Sequence, residues 1–362
     1  MLACQAEGLA VTPSRSWLES EIRSQPEILA TRLAGQAANT KLAHHLLRRP
    51  DVTHAVIAAR GSSDNAARYA QYLFGKTLGL STYLGAPSLF TQPTPPSLTG
   101  AAVLAISQSG QSPDVVSVLA AARLQGRPTI AITNDPHSPL AAVADVVIDL
   151  ATGPELSLAA TKTFTASLQA IIAIAAEVGD QELSQGLAAL PAALDKVIEQ
   201  GLEELNPGLA TAPNHPFDFL TTVGRATGFA AASETALKIR EVAGLRAEAY
   251  AVPDLLHGPI AANGPGSSAW LIASPSQSPE YWTHIVDRLT AAGVAVTAIV
   301  PGPSQLRADL VHQLPAGLDS SPAWLFDFLA VAYGQIAALR LGLAAGRDVD
   351  HPQGLAKVTL TS

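Results

Sequence analysis

The chain has 362 residues, of which 14% are charged and 48% apolar, where soluble domains ordinarily carry about 25% charged residues. This composition excludes intrinsic disorder, which needs low hydrophobicity and high net charge; at roughly 100–200 residues per domain the length accommodates two domains with real cores. The formal net charge of −8 argues against nucleic acid, whose backbone requires clustered Lys and Arg, and the single cysteine, Cys4, excludes an intramolecular disulfide framework or a multi-cysteine metal site.

Residues 15–48 read as helices, with apolar positions at Trp17, Ile22, Ile28, Leu29 and Leu33 and an interruption expected at Pro26. Strand and helix patterns then alternate. Thr53–Ala59 is a β-branched run ending in Gly61-Ser62-Ser63 and followed by the helical pattern NAARYAQYLFGKTLG. Ala101–Ile106 ends in Ser107-Gln108-Ser109-Gly110 and leads into DVVSVLAAARLQG, after which Thr129–Thr133 and Val146–Leu150 continue the series. Continuous apolar strands alternating with helices indicate a parallel sheet covered on both faces.

The second half repeats the plan. Phe219–Val223 ends in Gly224-Arg225; Trp270–Ala273 leads through Ser274-Pro275-Ser276-Gln277-Ser278-Pro279-Glu280 into a helix and the strand VAVTAIV. Gln111-Ser112-Pro113-Asp114 aligns with Gln277-Ser278-Pro279-Glu280, an offset of about 166 residues (277 minus 111). Two tandem α/β domains from internal duplication are expected, joined within Leu205–Pro216, where Pro, Asn and Gly gather. Pro275 removes a backbone donor from the second loop, so one phosphate site per chain is expected, in the first domain. The longest apolar stretches, Phe328–Leu339 and Leu168–Ala176, are bounded by charges and fall short of the roughly 20 residues of a membrane span. The first 20 residues lack a basic region and an apolar core of the secretory kind. A cytoplasmic protein without membrane partners is expected, with Cys4 an inert thiol.

Two segments carry chemistry. Ser107-Gln108-Ser109-Gly110-Gln111-Ser112 lies between a buried strand and a helix, where unpaired N–H groups and the helix dipole favour an anion; a serine-rich helix cap is the alternative. Neither G-x-G-x-x-G nor G-x-x-x-x-G-K-[ST] occurs, which disfavours dinucleotides and nucleoside triphosphates. Glu234–Pro259 is the densest polar segment: Glu234, Lys238, Arg240, Glu241, Arg246 and Glu248 place six charges in 15 residues, where the overall frequency gives about two. Lys238 and Glu241 share a helix face; Glu234 and Lys238 also fit an ordinary surface pair. His257, in the turn His257-Gly258-Pro259, is an imidazole at a mobile position suited to proton handling or is simply solvated.

The stretches AARGSSDNAARYA (58–70), ISQSGQSPD (106–114), GPELSLAATKTFT (153–165), ETALKIREVAGLRAEAYAVPDLLHGP (234–259) and DVDHPQGLAKVTL (348–360) resemble the sugar isomerase (SIS) family. They are most similar to the isomerase half of glucosamine-6-phosphate synthase and to stand-alone aminosugar-phosphate deaminases, in family order and from about residue 15 onward. The resemblance implies N-terminal helices (1–48), a first SIS domain (49–205), a second (217–346) and a tail (347–362) closing the active site, each domain a flavodoxin-like parallel α/β sandwich. It implies a homodimer with shared active sites and a phosphorylated aminosugar as ligand. Gly61, Ser62, Ser63, Ser107, Gln108, Ser109, Ser112 and Thr161 would hold the substrate. Glu241 would be the base moving a proton between C1 and C2, His257 would open the ring from the partner subunit, Lys238 would assist Glu241, and Lys357 would sit near the C2 carbonyl. Such a shift suits a carboxylate that takes a proton and returns it to the neighbouring carbon, and needs neither metal nor redox cofactor.

The departures from the synthase pattern point to the deaminase branch. The glutaminase part of the synthase has no counterpart, and Cys4 lies behind Met1, Leu2 and Ala3, so deamination is the expected direction. After Ser-Gln-Ser-Gly the synthase-like Glu-Thr gives way to Gln111-Ser112, which run on into Pro113-Asp114, Arg60-Gly61-Ser62-Ser63 replaces Cys-Gly-Thr-Ser, and Ala160 lacks the usual hydroxyl. The expected reaction converts glucosamine 6-phosphate to fructose 6-phosphate and ammonia. Galactosamine-6-phosphate deaminase/isomerase or fructosamine-6-phosphate deglycase chemistry is the alternative, and a sugar-phosphate-sensing module, expected to lose Glu241 and His257, is a further one.

Overall fold

The computed structural model describes residues 15–35, 37–204, 219–354 and 357; Cys4 and the joining segment 205–216 lie outside the described residues. Five parallel strands of the first half, β1 (His54–Ala59), β2 (Ser81–Leu84), β3 (Ala101–Ile106), β4 (Thr129–Thr133) and β5 (Val146–Asp149), form a sheet in the order β2-β1-β3-β4-β5. In the second half β6 (Phe219–Gly224), β7 (Ala247–Ala251), β8 (Ser267–Ile272), β9 (Ala295–Val300) and β10 (Leu310–Gln313) pair as β7-β6-β8-β9-β10. Both sheets therefore follow the doubly wound order 2-1-3-4-5, in which the crevice between the first and third strands receives ligands.

Every residue of β3, β4 and β8 is buried, as expected for central parallel strands covered on both faces. The sequence gives no sign of β2, β7 and β10. All three are edge strands with exposed or half-exposed positions, so they lack the continuous apolar run that marks a central strand.

The first half contributes helices α1 (Trp17–Gly35), α2 (Ala37–Leu47), α3 (Ser62–Leu78), α4 (Pro113–Leu124), α5 (Pro139–Ala142), α6 (Lys162–Ala176) and α7 (Gln181–Glu204). The second contributes α8 (Thr227–Lys238), α9 (Val252–Leu256), α10 (Pro279–Ala291) and α11 (Ala323–Ala344). Helix α3 packs on α8, and α11 packs on α8 and α7. One apolar cluster runs from Leu18 through Phe74 and Ala236 to Phe326 and Leu339, so the two sheets share a core.

Two expectations about helices are corrected. Helix α1 runs unbroken through Pro26; proline leaves the carbonyl four residues back without its helical donor, and here the Gln25 side-chain amide donates to that carbonyl, Ile22 O, at 3.0 Å. Helix α11 carries the apolar stretch Phe328–Leu339 and runs on past the charges that bound that stretch. Asp327 is fully buried and accepts from the Thr227 hydroxyl at 2.5 Å, and Arg340 donates to Leu202 O. At 22 residues α11 is long and apolar enough to cross a membrane, but 94% of its apolar window is buried inside the fold, and a helix apolar on all sides is what a core helix looks like.

Candidate active site

A cleft of about 350 Å³ opens at the carboxyl ends of β1 and β3. Gly61, Ser62, Ser63, Ser107, Gln108, Ser109, Ser112, Glu241 and Lys357 line it, together with Arg60, Glu155, Leu158 and Ala160. Nine of the expected residues thus converge on one space. The loop after β3 is turned by Gly110, whose φ of +61° lies in the left-handed region. A Cβ there would overlap the Ser138 side chain. Gly110 N donates to Ser107 Oγ at 3.2 Å and Gln111 N to Ser109 Oγ at 3.3 Å, so two serines hold the loop's curvature.

Ser112 occupies the N-cap position of α4, yet its hydroxyl caps no backbone N–H. Ser138 and Ser278, at the same position of α5 and α10, do cap. The helix-cap alternative is therefore not realised at Ser112, and its side chain faces the cleft. Arg60 and Asp114 add a pair that sequence spacing does not show: the guanidinium meets the carboxylate at 2.7 Å (Nη2) and 2.9 Å (Nε).

Behind the serines lies a buried ionic chain. Ser62 Oγ donates to Glu234 Oε1 at 2.9 Å and Asn65 Nδ2 to Glu234 Oε2 at 2.8 Å. Lys238 Nζ lies 3.5 Å from Glu234 and bonds to Glu241, which reaches the cleft. The Glu234–Lys238 pair is not a surface pair: both side chains are almost completely buried. Burial raises the Glu234 carboxyl above the usual range, with Lys238 opposing. Burial by itself would lower Lys238, but the flanking Glu234 and Glu241 outweigh it, so its ammonium is held. Glu241 sits in a π-helical turn, Ile239–Ala243, that continues α8; such turns re-aim side chains out of a regular helix.

Lys357 enters from the tail. Its Nζ donates to Glu155 Oε2 at 3.1 Å and Ser157 O at 2.6 Å. Glu155 is buried at the start of α6, accepting from Thr161 N at 3.0 Å and Thr163 N at 3.1 Å, where a carboxylate complements the helix dipole. The tail is pinned by Asp350, whose carboxylate accepts from Trp17 N at 3.0 Å and Leu18 N at 2.8 Å at the head of α1.

Thr161 is fully buried behind this wall and does not line the cleft; its hydroxyl has no partner among the described residues. His257 is exposed at the end of α9 and does not line this chain's cleft. The residues that sequence reasoning missed, Arg60 and Glu155, stand inside two of the quoted motifs, but their partners lie 54 and 202 residues away; a charge next to a glycine turn or a helix start was the available signal.

An open parallel sheet with a serine-rich loop and an ionic carboxylate at its switch-point crevice defines an α/β protein built to hold a small anionic ligand. Residues 50–176 match the SIS domain, so this part of the chain is a SIS domain. It is 31% identical over 354 residues to the glutamine–fructose-6-phosphate aminotransferase (isomerizing) of Aeropyrum pernix, covering 93% of this chain and 56% of that protein. The chain thus spans little more than half the length of the curated relatives it matches. Its fold is similar to that of a candidate phosphosugar isomerase from Silicibacter pomeroyi DSS-3, with TM-score 0.79 and 29% identity over 93% of this chain and 100% of the other. It is also similar in fold to a glucosamine-6-phosphate deaminase from Thermotoga maritima, with TM-score 0.74 and 22% identity over 96% of this chain and 100% of the other.

Proposed function

We propose that this chain is an aminosugar-phosphate isomerase working as a deaminase, converting glucosamine 6-phosphate and water to fructose 6-phosphate and ammonia. The observation that carries it is the Glu241 carboxylate, held by buried Lys238, in the same cleft as the serine loop. Ser107, Ser109, Ser112, Ser62 and Ser63 take the phosphate, with Gln108 and the Gly61 turn beside them. With the sugar ring opened by His257 of the partner subunit, Glu241 removes the C2 proton and returns it to C1. This leaves a C2 imine and a C1 alcohol; water adds to C2 and ammonia departs. Lys238 holds the Glu241 carboxylate in place as the proton acceptor, and Lys357 stands by the C2 substituent. Thr161 supports the wall through Glu155.

The deaminase direction is supported by Arg60 and by Gln111-Ser112. Arg60 departs from the synthase pattern and is held by Asp114 at the start of α4, beside the second departure at Gln111-Ser112. The same reading takes residues 49–205 and 217–346 as duplicated SIS domains, supported by the shared strand order and by one repeated turn. Gly61 before α3 has φ +57° and ψ −131°, and Ala226 before α8 has φ +53° and ψ −126°. Ammonia release from a panel of hexosamine and fructosamine 6-phosphates tests the proposal: glucosamine 6-phosphate should be the preferred substrate.

A further inference from the structure

A second cleft, of about 570 Å³, lies on the other side of Arg60, between α3 and α8. It is walled by Arg60, Arg68 and Arg240, with Asp64 the one carboxylate among its lining residues. In a chain with net charge −8, three cations against one anion is a concentrated positive site. Asp114, which holds Arg60 from the other side, still leaves an excess of one positive charge. The arginines are pre-positioned but under-used. Arg68 stacks on Phe229 at 5.0 Å, meets Asp64 only at 3.4 Å, and its buried Nε has no partner among the described residues. Arg240 donates to Ala247 O and forms no ion pair with any carboxylate among the described residues. Guanidinium forks fixed in this way match phosphate oxygens, and the volume suits a ligand of hexose phosphate size.

We propose that this cleft is a second binding site for a phosphate monoester dianion, adjoining the active cleft and sharing Arg60 with it. It deepens the functional reading above, on which it rests only for Arg60's place at the active cleft. Its floor touches the catalytic machinery through Asn65, which lines it and donates to Glu234. Occupancy here is therefore sensed by both Arg60 and the Glu234–Lys238–Glu241 chain.

Isothermal titration of the full chain at fixed ionic strength, with inorganic phosphate in one arm and glucitol 6-phosphate, which lacks the reacting carbonyl, in the other, tests it. Two sites per chain are expected. Arg68→Gln/Arg240→Gln should lose one of them by about tenfold or more in Kd while the other stays within about twofold; Arg240→Gln alone, at an exposed side chain, repeats the test without disturbing packing. Arg60→Gln should weaken both. Equal affinity in the two arms identifies the inorganic anion as sufficient, and tighter binding of the ester identifies a sugar phosphate. One site in the wild-type chain, or two undiminished sites in the arginine variants, overturns the inference. Ser109→Ala/Ser112→Ala separates the two ideas: retention of both sites there contradicts the serine-loop reading while leaving the arginine site standing.

Discussion

The Arg60 guanidinium and the Asp114 carboxylate, 54 residues apart, meet at 2.7 Å between the first strand's end and the start of α4. Asp114 is buried, whereas the Arg60 side chain is 49% exposed. The pair ties Arg60, which lines the active cleft, to the start of α4 just after the serine loop, so each single substitution, Arg60→Gln or Asp114→Asn, should raise KM for a sugar phosphate. Because Arg60 is half-exposed, the coupling energy in a double-mutant cycle should be about 1 kcal/mol or less. Kinetics of the four proteins of the cycle check it.

Lys238 lies between Glu234 and Glu241 with its side chain 2% exposed. Lys238→Met leaves two carboxylates without their cation in low dielectric, which should cost about 3–5 kcal/mol of stability. Glu234→Gln added to that variant should recover part of the loss. Urea unfolding midpoints of the two variants decide the matter.

Asp327 has its pKa raised from 3.8 to about 7, with burial the main cause and the Thr227 hydroxyl opposing. The unfolded chain releases this proton near its ordinary pKa, whereas the folded chain keeps it until about 7. Between those values the folded state binds more protons, so this contribution is fully present below pH 4 and declines up to about pH 7, with a limiting slope of about 1.4 kcal/mol per pH unit. Asp327→Asn should flatten that part of the stability profile, as read by thermal unfolding at stepped pH.

Gly110 turns the serine loop with φ +61° and faces Ser138, whose side chain occupies the place of an added methyl. Gly110→Ala should displace the loop and raise KM by about tenfold or more with kcat less affected, since binding rather than chemistry is disturbed. Circular dichroism of the variant should match the wild type. Gly61 offers a contrast: nothing stands where its Cβ would go, and Ala226 holds the matching conformation in the second half. Gly61→Ala should cost only about 1–2 kcal/mol of backbone strain.

The central strands and the phosphate loop are legible in the sequence because each is a contiguous pattern: an apolar run ending in small hydroxyl residues. Edge strands such as β10, with its exposed Gln313, have no such run. The length of α11 is not legible because Asp327 and Arg340 interrupt its apolar run, and both are accommodated only by hydrogen-bond partners that the fold brings to them. In the site, the serines and Glu241 stand in motifs, whereas the partners of Arg60 and Glu155 are brought together only by the fold. Thr161 was expected beside the sugar; its hydroxyl is instead enclosed behind Glu155, since a residue at the head of a buried helix turns inward. His257 is exposed at a helix end and lies outside the cleft of its own chain.

In the proposed reaction Glu241 carries the proton between C1 and C2 of glucosamine 6-phosphate. Ammonia release by the wild-type chain and by Glu241→Gln, compared at saturating substrate, tests it most directly. Turnover by the wild type is expected, with a fall in kcat of about 100-fold or more in the variant and its thermal midpoint little changed. Undiminished ammonia release by Glu241→Gln would contradict it.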